Sequence, residues 1–203
     1  GQLFDSALAV APDGRCLARY DKIHLFRMDG GDAVYDEGTL FSAGTTPVAF
    51  ELDGWRLALS ICFDLRFPEL YRALAPCDVI LCPAAFTTPT GEAHWHTLLR
   101  ARAIENQCYV AAAAQHGPSP AGDVIHYGHT LCADPWGQIL SETTAEADTV
   151  LTVSLDHARL CEVRKRLPAL ACRRLDALHR PTPDAHAPPP PHEPAPERRQ
   201  PAT

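Results

Sequence analysis

The sequence predicts an α/β protein built as stacked layers. Three observations carry that reading. Turn residues flanked by apolar runs recur, as at Pro12-Asp13-Gly14 and Asp53-Gly54, and read as hairpins. Residues 78–86 form a near-continuous apolar run, the pattern of a strand buried on both faces. Residues 92–106 carry Trp95, Leu98, Leu99 and Ala103 at helical spacing.

The elements follow in order. Residues 6–10 and 14–19 form the first hairpin, and 48–52 and 56–61 the second. Pro68 suits the first turn of a helix through Tyr71 and Leu74. After the buried strand at 78–86 and the helix at 92–106, residues 109–114 return to strand. Residues 129–134 and 139–141 flank Pro135-Trp136-Gly137 as a third hairpin, and 149–155 read as a strand. Asp156 is placed to cap a last helix containing Leu160, Val163 and Leu167. Beyond it, nine prolines fall within residues 181–203, with almost nothing apolar to bury, so that tail is expected to be disordered. The expected division is a main domain over 1–160, a helical extension over 161–180 and the proline-rich tail over 181–203. No internal repeat is visible.

With 203 residues, 46% of them hydrophobic, the chain can bury a core. Its net charge of −7 argues against a nucleic-acid partner, which would select a basic face. No run of 18 apolar residues marks a membrane span, and no signal peptide opens the chain. Residue 1 is Gly and the single Met is Met28, so the natural domain is expected to extend upstream. Eight cysteines form no C-x-x-C pair. Except for Cys62 they read as small, reduced, buried residues, which fits a cytoplasmic setting.

Cys62 differs by position. An apolar strand ends at it, and the helix opened by Pro68 follows within a few residues. A cysteine at such a turn is exposed at the sheet's end, beside backbone N–H groups that can face an oxyanion. It reads either as a structural cysteine or as a nucleophile. A nucleophile needs a base. The ten histidines supply no Cys–His pair by spacing, and none shows a metal-binding spacing such as H-E-x-x-H.

Four motifs resolve the choice. Arg19-Tyr20-Asp21-Lys22-Ile23-His24-Leu25-Phe26 resembles the lysine motif of the nitrilase superfamily of carbon–nitrogen hydrolases. Ile61-Cys62-Phe63-Asp64-Leu65-Arg66-Phe67-Pro68-Glu69 resembles its cysteine motif. Gly91-Glu92-Ala93-His94-Trp95 with 99–107, then Tyr127-Gly128-His129 with Asp134-Pro135-Trp136-Gly137, are similar to two further landmarks in the same order. Cys62-Phe63-Asp64 stands where nitrile-cleaving members show Cys-Trp-Glu, so the resemblance is to the amide-cleaving, Nit1-like and Nit2-like branch.

The resemblance implies an α-β-β-α sandwich, incomplete here at its N-terminus. It implies Cys62 as nucleophile, Lys22 with the backbone N–H of Phe63 as oxyanion holders, and Glu37 as a supporting carboxylate. The family's general-base glutamate lies on a strand upstream, and no residue of this chain matches it. The chain is therefore expected to be an N-terminally truncated amidase that is inactive, or close to it, as it stands. The alternative is a non-catalytic binding or scaffold protein that keeps the fold. The implied substrate is a small linear carboxylate-bearing amide, either deaminated glutathione or a 2-oxo acid ω-amide. No metal or organic cofactor is implied, and the complete protein is expected to be a homodimer or larger.

Overall fold

The computed structural model describes residues 1–29, 34–122, 124–144 and 149–174. The proline-rich tail at 181–203 lies outside the described residues. Every element belongs to a unit spanning Gly1–Cys172.

The chain opens with a hairpin, β1 (Ser6–Val10) and β2 (Cys16–Asp21), and a short ribbon, β3 (Arg27–Asp29) and β4 (Val34–Asp36). β5 (Val48–Leu52) and β6 (Trp55–Leu59) follow as an antiparallel pair. Their two-residue turn has Asp53 at φ 50° and Gly54 at φ 80°. Two positive φ angles in succession match the right-handed twist of the strands, which is why Asp-Gly works here. Next come α1 (Pro68–Leu74), β7 (Val79–Leu81), α2 (Thr88–Asn106) and β8 (Tyr109–Ala112). A ribbon of β9 (His116–Pro118) and β10 (Ile125–Tyr127) precedes β11 (Leu131–Ala133), β12 (Ile139–Glu142) and α3 (His157–Arg166).

The central sheet has six strands in the order β12-β11-β8-β7-β6-β5. β6, β7 and β8 are parallel, and the outer pairings are antiparallel. Ala58, Ile80, Val110 and Ala133 stand side by side across this sheet, each with no exposed surface. They meet Leu70, Tyr71 and Leu74 of α1 and Trp95, Leu99 and Ala103 of α2. One residue along each strand, the side chains point the other way. Leu57, Val79 and Tyr109 there pack with Leu160 of α3. That second face also carries an apolar groove of about 650 Å³ lined by Trp55, Leu81, Leu151 and Val153 among others. The protein is thus mixed α/β around a central sheet, with helices from both crossover connections on one face.

Several expectations change in detail. α2 starts four residues earlier than 92, because Pro89 occupies its first turn, where a missing N–H costs nothing. Residues 149–155 were expected to be a strand, yet no ladder forms along them. Their exposure alternates as in a strand, with Leu151, Val153 and Leu155 turned to the groove, but no partner strand lies beside them among the described residues. Period-2 patterning reports a half-buried extended chain, not the presence of a neighbour. All eight cysteines are free, but Cys16, Cys161 and Cys172 are exposed rather than buried. Cys16 sits on the first hairpin and Cys161 on a face of α3 that no described element covers. Asp156 caps α3 as expected, accepting from the Ala158 N–H at 2.8 Å. No helix among the described residues is long and apolar enough to cross a membrane.

Candidate active site

The chain leaves β6 and continues beside the segment after β7. Ser60 N–H donates to Leu81 O at 3.0 Å, and Cys62 N–H to Pro83 O at 2.9 Å. At Cys62 the backbone turns to φ 45° and enters a 3-10 turn, Cys62–Arg66, that runs into α1. A left-handed conformation at a non-glycine residue is held only where its surroundings fix it. Asp64 does much of that fixing. Its carboxylate is fully buried and accepts from Ile61 N–H at 2.9 Å and from the Tyr20 hydroxyl at 2.7 Å. It also bonds His24 through its backbone N–H at 3.1 Å and its Nδ1 at 2.7 Å. The turn that carries Cys62 is thereby tied to the end of β2.

Lys22 arrives by strand periodicity. Tyr20 and Lys22 are two residues apart, so both side chains face inward, and Lys22 is only 1% exposed. Its Nζ donates to both oxygens of Glu37, at 2.9 and 2.7 Å, and lies 3.2 Å from Asp5 Oδ2. The β3–β4 ribbon positions Glu37: Phe26 N–H donates to Glu37 Oε2 at 2.7 Å, and Glu37 N–H returns a bond to Phe26 O at 2.9 Å. The first hairpin positions Asp5, whose carbonyl accepts from Lys22 N–H at 2.9 Å.

Lys22, Glu37, Cys62 and Phe63 line one cavity of about 640 Å³, together with Asp5 and Arg66. The four residues singled out in the sequence therefore converge. Phe63 is the second residue of its turn, a position whose N–H has no acceptor within the turn.

The electrostatics are uneven. Burial pushes the Cys62 thiol above its ordinary pKa; the Ala85 backbone N–H and the Lys22 ammonium oppose this, and Glu37 and Asp5 reinforce it. For Lys22 burial works against the charge, but the Glu37 hydrogen bonds and the charges of Cys62, Glu37 and Asp5 outweigh it, so its pKa is raised. Arg66 has its pKa lowered by burial. Its guanidinium lies 3.2 Å from His94 Nδ1 and over the rings of Phe63 and Phe86. It has no carboxylate partner among the described residues.

Sequence reading did not single out Asp5, Asp64 or Arg66. The last two lie inside the quoted cysteine motif, so the signal was present without its meaning. Asp5 had none, since its role depends on the register of the first hairpin. The structure also groups histidines that spacing left apart: His96 and His129 meet at Glu142.

Fold and cavity together define a mixed α/β protein that holds a cysteine against a buried lysine and two carboxylates. The chain belongs to the carbon-nitrogen hydrolase family, whose model matches residues 1–165. It is 42% identical over 178 residues to a deaminated glutathione amidase from Synechocystis, covering 85% of this chain and 65% of that protein. It is 38% identical over 183 residues to the omega-amidase NIT2 of Mus musculus, covering 87% and 64%. The chain thus spans just under two thirds of the length of these relatives. Among solved structures it resembles the NitFhit protein of C. elegans, with TM-score 0.77 and 38% identity over 87% of this chain and 43% of that one. It also resembles Nit3 of Saccharomyces cerevisiae, a member of branch 10 of the nitrilase superfamily, with TM-score 0.73 and 28% identity over 82% and 58%.

Proposed function

We propose that the protein hydrolyses a small linear, carboxylate-bearing amide to the acid and ammonia through an acyl-thioester on Cys62. The observation that carries this reading is the buried Lys22 ammonium, held twice by Glu37 and facing the same cavity as the thiol. The Cys62 sulfur attacks the amide carbonyl carbon and the C–S bond forms. The carbonyl oxygen becomes an oxyanion held by Lys22 and the Phe63 N–H, donors fixed before charge develops there. A carboxylate base takes the thiol proton and delivers it to the departing nitrogen as the C–N bond breaks. Water then attacks the thioester with the same base. The family resemblance puts that base on a glutamate that no residue of this chain matches. No metal or organic cofactor takes part in this scheme.

Arg66 supports the acidic substrate. It is a half-buried cation on the cavity wall, and an added carboxylate can take its fork of donors. The named relatives act on deaminated glutathione or are omega-amidases, and both compounds offer an amide and a carboxylate. The free cysteines fit a reducing, cytoplasmic setting. The groove on the second sheet face fits an assembly of two or more copies.

The test is ammonia release by the full chain from deaminated glutathione and from 2-oxoglutaramate. Cys62→Ser is expected to abolish turnover, because the hydroxyl is far less acidic than the thiol. Undiminished turnover in that variant would overturn the assignment.

A further inference from the structure

Outside the cavity, one cluster has the chemistry of a metal site. His96 Nε2 lies 2.7 Å from Glu142 Oε1, and His129 Nδ1 lies 2.6 Å from the same oxygen. The three potential ligand atoms are all within 4.8 Å of one another. They come from three separate elements: the middle of α2, the loop before β11 and the last residue of β12. We propose that His96, His129 and Glu142 form a surface site for a divalent first-row transition ion of the zinc type.

The donor set is the first reason. Two imidazoles and one carboxylate suit Zn²⁺ and its neighbours and suit Mg²⁺ or Ca²⁺ poorly. Ion–ligand bonds near 2.0–2.2 Å put tetrahedral donors roughly 3.3 Å apart, so each imidazole–carboxylate pair needs to open by only about 0.7 Å. The ligands are also held in place. His129 sits at φ 62°, its carbonyl accepts from Trp95 Nε1 at 2.8 Å, and its ring stacks on Tyr127 with centroids 4.3 Å apart. Tyr127 also meets the His96 ring edge-on at 6.1 Å. Gly91 makes room for Tyr127, since a Cβ there would lie 2.2 Å from the ring. Partial burial tends to raise the Glu142 carboxyl, yet the two histidines hold it below its ordinary value. The three side chains keep some exposure, so a fourth position is open to water.

Without an ion, the same atoms make a carboxylate that accepts two imidazole N–H bonds. Binding separates the two cases. The full chain is titrated with Zn²⁺ alone by calorimetry and with Co²⁺ alone by visible absorption. One equivalent is expected to bind, and the Co²⁺ spectrum should lack the sulfur-to-metal charge-transfer band that cysteine ligation produces. His96→Ala and Glu142→Gln should each weaken binding at least tenfold, with folding verified by Tm and the Cys62 alkylation rate unchanged. That last readout keeps this site independent of the amidase reading. No saturable binding, binding with a thiolate band, or unchanged affinity in both variants would overturn the proposal and leave a hydrogen-bonded cluster.

Discussion

Replacing Asp64 by alanine removes four hydrogen bonds at once. Two of the abandoned donors, the Tyr20 hydroxyl and the Ile61 N–H, are buried, and water cannot replace the carboxylate there. The other two belong to His24, whose side chain is 24% exposed, so solvent can take over. A buried donor left without a partner costs about 1–3 kcal/mol, so the two together put the loss at about 4 kcal/mol. Asp64→Asn should cost less, about half, because its amide oxygen keeps an acceptor while its NH2 meets donors. The same change frees the 3-10 turn that holds Cys62 at φ 45°. Turnover should therefore fall further than the folded fraction does. Urea denaturation gives the stability, and ammonia release at a temperature where each variant stays folded gives the activity. An Asp64→Ala loss below 1 kcal/mol, or activity that merely tracks the folded fraction, would refute the claim that Asp64 positions Cys62.

Two further outcomes follow from contacts already described. Arg66→Met should raise KM for a carboxylate-bearing amide by about tenfold or more, the loss of one charge-assisted hydrogen bond, while leaving KM for a neutral amide of the same length unchanged; equal effects on both would remove Arg66 from substrate recognition. Gly91→Ala places a Cβ 2.2 Å from Tyr127, so its Tm should fall by an amount matching about 1–3 kcal/mol, and an unchanged Tm would mean that the ring moves freely.

The hairpins were legible because their turns demand particular residues. Asp53-Gly54 and the glycine of Pro135-Trp136-Gly137, at φ 83°, occupy left-handed backbone that few side chains accept. β7 and its parallel neighbour β8 were legible from unbroken apolar runs, but of the run at 78–86 only Val79–Leu81 forms a strand, and of 109–114 only Tyr109–Ala112; apolar character reports burial and does not fix where the ladder ends. The segment at 149–155 was misread because alternation reports burial on one side and says nothing about hydrogen-bonding partners. Lys22, Glu37, Cys62 and Phe63 came from family motifs, since no local spacing links them. Asp64 shows why spacing fails: its partners Tyr20 and His24 lie 44 and 40 residues away. His96 and Glu142 are separated by 46, far outside the few-residue patterns by which ligand pairs are read. Such constellations are set by which strands become neighbours, and a single sequence states that only indirectly.

Which carboxylate serves Cys62 can be argued from what each already holds. Both oxygens of Glu37 are engaged, Oε1 by Lys22 and Oε2 by Lys22 and the Phe26 N–H. A carboxylate so fully used orients the lysine and is a poor proton acceptor. The Asp5 carboxylate contacts Lys22 Nζ through Oδ2 at 3.2 Å, and its side chain is 34% exposed. Its effect on Cys62 is electrostatic: the negative charge helps to keep the thiol protonated. Asp5→Asn removes that charge and keeps the shape. The sign follows directly. With one anion fewer, the thiol pKa falls, the thiolate fraction at a given pH rises, and alkylation of Cys62 by iodoacetamide accelerates. In the parent that rate should still climb above pH 9, the unperturbed thiol value, and in Asp5→Asn its midpoint should shift downward. The rate is read on the Cys62 peptide by mass spectrometry, because exposed Cys16, Cys161 and Cys172 react as well. Ammonia release by the full chain should survive the substitution. Its collapse, with the alkylation profile unmoved, would show that Asp5 itself carries the proton.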